Sequence, residues 1–316
     1  MQPKMLATDM AKFLNITTQA IHNQLKRKEL AFKKSRNRVF FDHITSKQIA
    51  NVRAEPQVIA FQIVKGGTGK TSICHSVAVR SALYGIRTLC IDLDQQGNLT
   101  STFHVKSDEI PIMVEIINNR LSIKNSIVSV IPGLDIIPSR IENALLDSSL
   151  MLKRSPLDRV YKEMIQPLKS EYDLILIDCP PALGSSVTAA TLASDLVISP
   201  VTPSEFSLSG LQITNSELIN ITENFKQDIP LKIVLNKFDT RTSLSHETMR
   251  FLIKEPTYSA NLFQTAIRSS QEFENVLTRG ESIFDSLMDS PAKEDIDLLT
   301  LEILNITSSS NEKLEN

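Results

Sequence analysis

A glycine-rich loop between an apolar segment and a helix constrains this chain more than any other feature. Residues 61–72 read FQIVKGGTGKTS. The glycines permit positive φ and leave room for a ligand, so successive N–H groups can point into one concavity at the start of the following helix. Lys70 can reach the β- and γ-phosphates of a nucleotide, and the Thr71 hydroxyl can bind Mg²⁺. The predicted nucleotide-binding residues of this loop are Lys65, Gly66, Gly67, Thr68, Gly69, Lys70, Thr71 and Ser72.

The loop departs from the common pattern G-x-x-x-x-G-K-[ST], because Val64 stands where that pattern has glycine. A second lysine, Lys65, precedes the glycine pair. A cation at a phosphate site is costly to bury unless an anion meets it. Lys65 therefore either points into solvent or reaches a phosphate, including one on a nucleotide held by a second subunit.

The segment K-G-G-T-G-K-T resembles the signature of the deviant Walker A ATPases, the group that contains the ParA, MinD and nitrogenase iron proteins. In that group the lysine equivalent to Lys65 contacts nucleotide across a sandwich dimer. The resemblance implies that ATP and Mg²⁺ are the cofactors and that Lys65 and Lys70 act in catalysis.

Residues 88–100, TLCIDLDQQGNLT, supply carboxylates after an apolar strand. Such groups can hold the water shell of Mg²⁺ or orient an attacking water. The segment resembles the family's switch I. By that resemblance Asp94 positions the hydrolytic water, and it is also a predicted Mg²⁺ residue. Asp92 either acts with Asp94 on these waters or caps the next turn. Gln95 replaces the proline that is usual in the family.

Residues 172–181, YDLILIDCPP, contain an apolar run that fits a parallel strand buried on both faces. Asp178 at the end of this run fits a Walker B carboxylate that binds Mg²⁺ directly or through water. The predicted metal site therefore consists of Thr71, Asp94 and Asp178.

The remaining sequence alternates strands with helices. We predict strands over 58–64, 134–138, 196–201 and 231–236, with a helix over 210–225. This order indicates an α/β, doubly wound, mostly parallel sheet of a P-loop NTPase domain, with its ligand at the carboxyl ends of the strands.

Asn236 follows one of these strands, at a position where a residue of the family contacts adenine, so it is a predicted nucleotide contact. The segment 236–239, NKFD, also fits the guanine-reading motif N-K-x-D. GTP therefore remains an alternative to ATP.

The cysteines argue against an iron–sulfur protein and bear on localisation. The chain of 316 residues contains Cys74, Cys90 and Cys179, and no C-x-x-C pair. They do not provide the paired thiolates of an iron–sulfur cluster, which argues against a nitrogenase iron protein. Reduced thiols, together with the lack of a signal peptide or of an apolar run long enough to span a membrane, predict a cytoplasmic protein.

The charge of the chain is distributed unevenly. Residues 1–55 carry eleven lysines and arginines against four acids, a net charge of +7, whereas the remainder carries 23 bases and 32 acids, a net charge of −9. A small basic module on an acidic body indicates that the module meets a polyanion.

The pattern of this module fits two helices and a hairpin. We predict helices over 8–14 and 17–27, with Ile21 and Leu25 on the buried face of the second, and a basic hairpin over 32–41. The module resembles a MerR-like winged helix-turn-helix domain, and the alternative is a basic adaptor that binds protein. The predicted DNA contacts are Thr18, Gln19, His22, Asn23 and Lys26 on the second helix and Lys34, Arg36 and Arg38 on the hairpin.

Together these parts resemble a ParA-type plasmid or chromosome partition ATPase with an N-terminal DNA-binding domain. The predicted divisions are 1–55 for that domain, 56–306 for the ATPase domain and 307–316 for a polar tail. The resemblance implies an ATP-dependent homodimer, nonspecific binding of nucleoid DNA in a bacterium, slow hydrolysis stimulated by a ParB-like partner bound at a centromere, and autorepression at an operator.

The resemblance also suggests a basic DNA contact near the C-terminal side of the domain. Residues 263–272 look like the family's T-x-I-R-x-S region, which makes Arg268 the candidate. Arg241 and Arg279 are weaker candidates.

Three other functions remain open from the sequence. A MinD-like membrane ATPase needs a basic amphipathic C-terminal helix, whereas residues 303–316 are mostly polar and acidic. A ParA-family ATPase that positions a protein cargo has the same motifs as a partition protein. A transcription repressor switched by nucleotide is the third.

Overall fold

A computed structural model of the chain describes residues 1–35, 37–51 and 55–304. The predicted DNA contact Arg36 and the predicted tail 307–316 lie outside the described residues.

The described residues form strands and helices in the following order. The strands are β1 (Met5–Leu6), β2 (Lys33–Ser35), β3 (Arg38–Phe41), β4 (Gln57–Phe61), β5 (Thr88–Asp92), β6 (Val128–Ile131), β7 (Leu134–Ile137), β8 (Leu174–Asp178), β9 (Leu196–Val201) and β10 (Leu231–Leu235). The helices are α1 (Ala7–Phe13), α2 (Thr18–Arg27), α3 (His43–Ala50), α4 (Lys70–Leu83), α5 (Asn98–Thr102), α6 (Met113–Asn119), α7 (Leu146–Leu152), α8 (Val160–Ile165), α9 (Ser185–Leu192), α10 (Glu205–Phe225), α11 (Ser243–Lys254), α12 (Pro256–Ser259), α13 (Gln271–Thr278) and α14 (Pro291–Ile303).

The central sheet has the strand order β10-β9-β4-β8-β5-β7-β6. All neighbours in it pair in parallel, except the edge strand β6, which is antiparallel to β7. The predicted strands at 134–138, 196–201 and 231–236 are therefore confirmed, and the mostly parallel α/β P-loop NTPase fold with them. The strand predicted over 58–64 ends at Phe61, because residues 62–69 already belong to the phosphate loop.

Helices cover both faces of this sheet, because alternate side chains of each strand face opposite sides. In β4, Ile59 and Phe61 belong to an apolar cluster with α4 and α14. Val58 and Ala60 belong to a second cluster, with the helices α6 to α11. The strands consequently read as continuous apolar runs, and the polar groups of the site collect at their carboxyl ends.

The basic N-terminal elements follow the predicted order of helix, turn, helix and hairpin. Thr17 caps α2, as predicted, by accepting a hydrogen bond from the Ala20 N–H at 3.1 Å. Ile21 and Leu25 are buried, also as predicted. The sequence did not predict β1, which pairs with β3 and closes a three-stranded antiparallel sheet.

These elements pack directly onto the ATPase body. The Phe13 ring stacks on Tyr84 at the end of α4, with centroids 4.0 Å apart. His43 Nδ1 lies 2.7 Å from the carbonyl oxygen of Ala82. The apolar side chains of α1 and α2 belong to the same cluster as those of α4 and α14. The domain boundary at residue 55 stays a prediction. One apolar cluster contains side chains from both sides of this residue.

No helix among residues 1–35, 37–51 and 55–304 has the length and apolar character to cross a membrane.

Helix α4 carries a buried histidine whose effect on stability is testable. His75 is 1% exposed, and neither ring nitrogen has a hydrogen-bond partner among the described residues. Burial lowers the pKa of His75 to about 3. Because the unfolded chain takes up this proton near pH 6.5 and the folded protein does not, folding loses stability as the pH falls below 6.5.

We expect acidification from pH 7 to pH 5 to cost the wild-type protein about 2 kcal/mol of folding free energy through this residue. His75→Leu removes that loss. Urea unfolding at both pH values measures it, and the exposed His246 offers a control, since His246→Leu should keep the wild-type pH dependence. An unchanged pH dependence in His75→Leu would contradict the assignment.

Candidate nucleotide site

The glycine-rich loop lies between β4 and α4, at the carboxyl edge of the sheet. Gly67 and Gly69 have φ of +78° and +94°, which other residues rarely adopt. A Cβ on Gly66 or Gly67 would meet no atom within 4 Å, so this side of the loop is open. A Cβ on Gly69 would lie 2.1 Å from Asn236 Nδ2, so the close approach of Asn236 also requires glycine there.

Lys70 begins α4 and is buried in the loop. Its Nζ donates a hydrogen bond to the Lys65 carbonyl oxygen at 3.3 Å. Burial lowers the pKa of the Lys70 ammonium, and the nearby carboxylate of Asp178 opposes that shift. A desolvated ammonium of this kind favours an anion, which is what a phosphate group provides.

Thr71 and Asp178 meet at the base of the loop, where the Thr71 hydroxyl donates a hydrogen bond to Asp178 Oδ2 at 2.7 Å. Asp178 is fully buried, and its Oδ1 has no hydrogen-bond partner among the described residues. Burial, reinforced by the nearby Asp92, raises the pKa of Asp178 to about 8. A buried carboxylate with one free oxygen beside a hydroxyl fits a divalent cation, because the cation would supply the missing partner.

The two aspartates of residues 88–100 have different surroundings. Asp92 is fully buried and accepts hydrogen bonds from the Thr100 hydroxyl at 2.7 Å and from the N–H groups of Thr100 and Asp94 at 2.9 and 3.1 Å. It therefore caps the turn into α5, which was one of its two expected roles. Asp94 lines the open cavity beside the loop and accepts from the Gln96 N–H at 3.0 Å. Of these two aspartates, Asp94 is the one whose carboxylate is available to a ligand.

This cavity has a volume of about 820 Å³, within the range of small-molecule sites. It extends from the phosphate loop past Asp94 to the segment 268–271 and α13. Of the predicted nucleotide-binding residues, Gly66, Gly67, Gly69, Lys70, Thr71, Ser72 and Asn236 line it. Thr68 is buried behind the loop, with its carbonyl oxygen bound to Asn236 Nδ2 at 2.7 Å.

The groups that bear on the choice of base are Asn236 and Asp239. Asn236 uses its amide nitrogen to hold the loop and also lines the cavity, so its contact with adenine stays a prediction. Asp239 accepts two hydrogen bonds from the Arg241 guanidinium, at 3.0 and 2.8 Å, and the bonds from Arg241 lower the pKa of Asp239 to about 2. A carboxylate occupied in this way is poorly placed to read guanine, which favours the adenine prediction.

Lys65 is exposed and lies outside the set of described residues that line the cavity. Its Nζ lies 5.5 Å from the centroid of the Phe206 ring on α10. This position does not favour a contact between Lys65 and the nucleotide of its own protomer. Exposure to solvent and a contact with a nucleotide held by a second subunit both stay predictions.

The predicted DNA contacts fall into two groups. Gln19, Asn23 and Lys26 are exposed on α2, and Lys34 is exposed on β2. Thr18 and His22 are half-buried, because each lies three residues before a buried side chain, Ile21 or Leu25. Arg38 instead binds Asp289 at 3.0 Å, and Arg268 binds Asp295 at 2.6 Å and Glu294 at 2.7 Å. Acidic side chains of this chain therefore offset the charges of Arg38 and Arg268. This pairing does not favour a DNA contact by either arginine, and both contacts stay predictions.

Sequence reasoning missed the row Phe206, Gly210 and Thr214 on α10, which contacts the loop, because no motif includes it. Gly210 stands at the start of the predicted helix 210–225 but inside the observed one, where glycine is unfavourable unless something approaches closely. The predicted helix at 210–225 begins five residues earlier, at Glu205, with Ser204 as its cap. The segment 269–278, which forms the far wall of the cavity, was also missed.

Comparisons with known proteins bear on the family of this chain. The family model described as an AAA domain matches residues 56–233. The virulence plasmid ParA family protein pGP5-D of Chlamydia psittaci is 32% identical over 263 residues, which cover 82% of this chain and 98% of that protein. The sporulation initiation inhibitor protein Soj of Bacillus subtilis is 29% identical over 234 residues, which cover 72% of this chain and 90% of Soj.

Among solved structures, an ATP complex of McdA from Cyanothece is similar with a TM-score of 0.72 at 18% sequence identity. The match covers 81% of this chain and 98% of that one. At this level of identity the similarity shows a shared fold.

Proposed function

Because this chain belongs to the ParA family of P-loop ATPases, we propose that it is a Mg²⁺-dependent DNA-partition ATPase whose ATP-bound form is a sandwich dimer. The observation that carries the proposal is the pairing of a complete phosphate site, with buried Lys70, and a second lysine outside it. A lysine that belongs to the signature yet lies outside the lining of its own cavity is suited to the nucleotide of a partner.

In this mechanism the N–H groups of the loop and the Lys70 ammonium bind the phosphates of ATP. Thr71 and Asp178 would hold Mg²⁺, which would supply charge neutralisation on the phosphate oxygens. Asp94 accepts a hydrogen bond from the attacking water and aligns it with the γ-phosphate. Catalysis of this kind depends mainly on positioning and on fixed charges.

Exposed apolar side chains around the site support the dimer. Leu183 follows β8, Phe206 follows β9, and Ile141 and Leu145 follow β7, all at the edge of the sheet that carries the loop. Their exposed fractions are between 44% and 75%. Large apolar side chains exposed along one edge of the sheet are typical of a surface that binds another protein, and a second copy would cover them while bringing Lys65 to its nucleotide.

We propose DNA as the polyanion that the basic module meets, with nonspecific binding by the dimer and operator binding for autorepression. The exposed polar face of α2 and the net charge of +7 over residues 1–55 support this assignment. A ParB-like, centromere-bound partner would stimulate hydrolysis, and the complex would act on the nucleoid in the bacterial cytoplasm. A family member that positions a protein cargo would use the same ATPase site.

Asp94→Ala tests the hydrolytic part of this proposal. We expect ATP turnover to fall by about a hundredfold or more, since a positioned base or water-orienting group contributes that much. ATP affinity and ATP-dependent dimerisation should stay close to wild type, because Asp94 contacts the water and not the phosphates. Phosphate release and nucleotide titration measure the two properties.

Asp239→Ala is the matched control, because this carboxylate binds Arg241 and is absent from the set of described cavity-lining residues. Its turnover should remain within about twofold of wild type. Rapid turnover by Asp94→Ala would remove Asp94 from the mechanism.

A further inference from the structure

One face of α10 contacts the dipeptide Val64–Lys65. Phe206, Gly210 and Thr214 follow one another at four-residue intervals and so form a row along the helix. Thr214 Oγ1 accepts a hydrogen bond from the Val64 N–H at 3.2 Å and donates one to the Gly210 carbonyl oxygen at 2.9 Å. One hydroxyl therefore ties the backbone just before the second lysine to this row.

Gly210 allows the helix to approach closely. A Cβ at this position would lie 3.0 Å from Lys65 Cβ and 3.1 Å from the Val64 carbonyl oxygen. The second of these atoms belongs to the backbone, so alanine would push the loop itself. Glycine is unfavourable in the middle of a helix, and this contact explains why one stands inside the 21-residue helix Glu205–Phe225.

Phe206 completes the row under the side chain of Lys65. The ring is 75% exposed, and the Lys65 ammonium lies 5.5 Å from its centroid. An ammonium over an aromatic face is attracted to it, which biases a flexible side chain toward one conformation. The row thus contacts this segment at three points, which are the Val64 N–H, the Lys65 Cβ beside Gly210 and the Lys65 ammonium.

We propose that Phe206, Gly210 and Thr214 are positioning residues for Lys65, which they hold ready for the nucleotide of a second copy of this chain. The ring of Phe206 holds the ammonium in the free protomer, and in the dimer the ammonium keeps this ring on one side while it binds a phosphate oxygen of the partner's nucleotide. A lysine held in this way loses less conformational freedom when the dimer forms. This inference rests on the proposed function, because it takes the cross-subunit role of Lys65 as its premise.

The test is a double-mutant cycle on dimer affinity, measured by sedimentation equilibrium with a slowly hydrolysed ATP analogue. Phe206→Leu removes the ring but keeps an apolar side chain, and Phe206→Tyr keeps the ring. We expect Phe206→Leu to weaken the dimer about two- to fivefold, the contribution of an exposed cation–π contact, and Phe206→Tyr to match wild type. Neither should change the ATP affinity of the protomer. Ile219→Ala is the control, since Ile219 is 52% exposed on the same helix but outside the row.

The cycle separates positioning from simple apolar contact. In a Lys65→Gln background, studied at protein concentrations that still give measurable dimer, Phe206→Leu should have no further effect. An equal loss of dimer affinity in both backgrounds would overturn the inference. It would also be overturned if Phe206→Leu dimerised with wild-type affinity while Lys65→Gln weakened the dimer. A wild-type dimer for Lys65→Gln would overturn the cross-subunit role itself, and the inference with it.

Discussion

Replacement of Lys70 by methionine is expected to weaken ATP binding by about a hundredfold or more. Hydrogen bonds to charged groups contribute roughly 1.5–3 kcal/mol each, and an ammonium that bridges two phosphates makes at least two. Lys70 is 6% exposed, and its one hydrogen bond among the described residues is the 3.3 Å contact with the Lys65 carbonyl. Most of its favourable interaction therefore depends on the ligand.

The same variant should leave the stability of the nucleotide-free protein close to wild type. A buried ammonium that forms no salt bridge among the described residues is unfavourable, so methionine of similar length costs little at this position. Asp178 does not become an uncompensated charge, because its pKa is raised to about 8 by burial and it can hold a proton at neutral pH.

Titration calorimetry with ATP and Mg²⁺ measures the affinity, and thermal unfolding with and without ATP measures the linked stability. Lys237→Met is the matched control, since Lys237 lines the same cavity but is exposed. Its effect should be about fivefold or less, as for an exposed charge. Wild-type ATP affinity in Lys70→Met would show that the phosphates do not bind at this loop.

Arg80→Leu is expected to destabilise the whole protein by about 3 kcal/mol or more. Arg80 lies on α4 and is fully buried, and its guanidinium binds Asp297 of α14 through Nε and lies 3.4 Å from Asp9 of α1. Removal of one partner from a buried group of charges costs roughly 3–5 kcal/mol, because the remaining charges are left uncompensated. The partly exposed side chains of Asp9 and Asp297 place the expected value at the lower end.

The electrostatics of this cluster are consistent with a permanently charged arginine. Burial by itself would lower the pKa of Arg80, but the carboxylates of Asp297 and Asp9 more than offset it, and the pKa is raised. The rings of Tyr84 and Phe284 lie 4.5 and 4.9 Å from the guanidinium carbon. Arg80 thus joins the helix of the phosphate loop to the N-terminal elements and to α14.

Urea unfolding of Arg80→Leu measures the loss. Arg87→Leu is the control, because the Arg87 side chain is 46% exposed and lies 3.8 Å from Asp135; its loss should be within about 1 kcal/mol. The double variant Arg80→Leu with Asp297→Leu should recover part of the stability. If Arg80→Leu unfolds like wild type, the N-terminal elements are not held to the body by this cluster.

The phosphate loop and Asp178 could be predicted because their signals are local. Each follows an apolar run of the length of a buried strand, and the chemistry at a strand end is readable from neighbouring residues. The strand ends themselves were predicted to within a few residues, and the helix at 210–225 was too short because Ser204, its cap, stands outside the apolar pattern.

The remaining features depend on contacts between distant parts of the chain. Arg80 contacts Asp9, 71 positions before it, and Asp297, 217 positions after it. No periodicity in the sequence relates these three residues. Arg268 was predicted to contact DNA because its pairing with Asp295 on α14 is invisible in its own motif. The packing of the basic module on α4 was missed for the same reason.

The central claim, an ATP-dependent dimer that binds DNA, is tested most directly by sedimentation of the full chain. The protein is compared with no nucleotide, with ADP and with a slowly hydrolysed ATP analogue, each with and without random-sequence DNA. We expect a monomer without nucleotide and with ADP, a dimer with the ATP analogue, and co-sedimentation with DNA only in that state. An oligomer that ignores the nucleotide, or a dimer that fails to bind random DNA, would contradict the account.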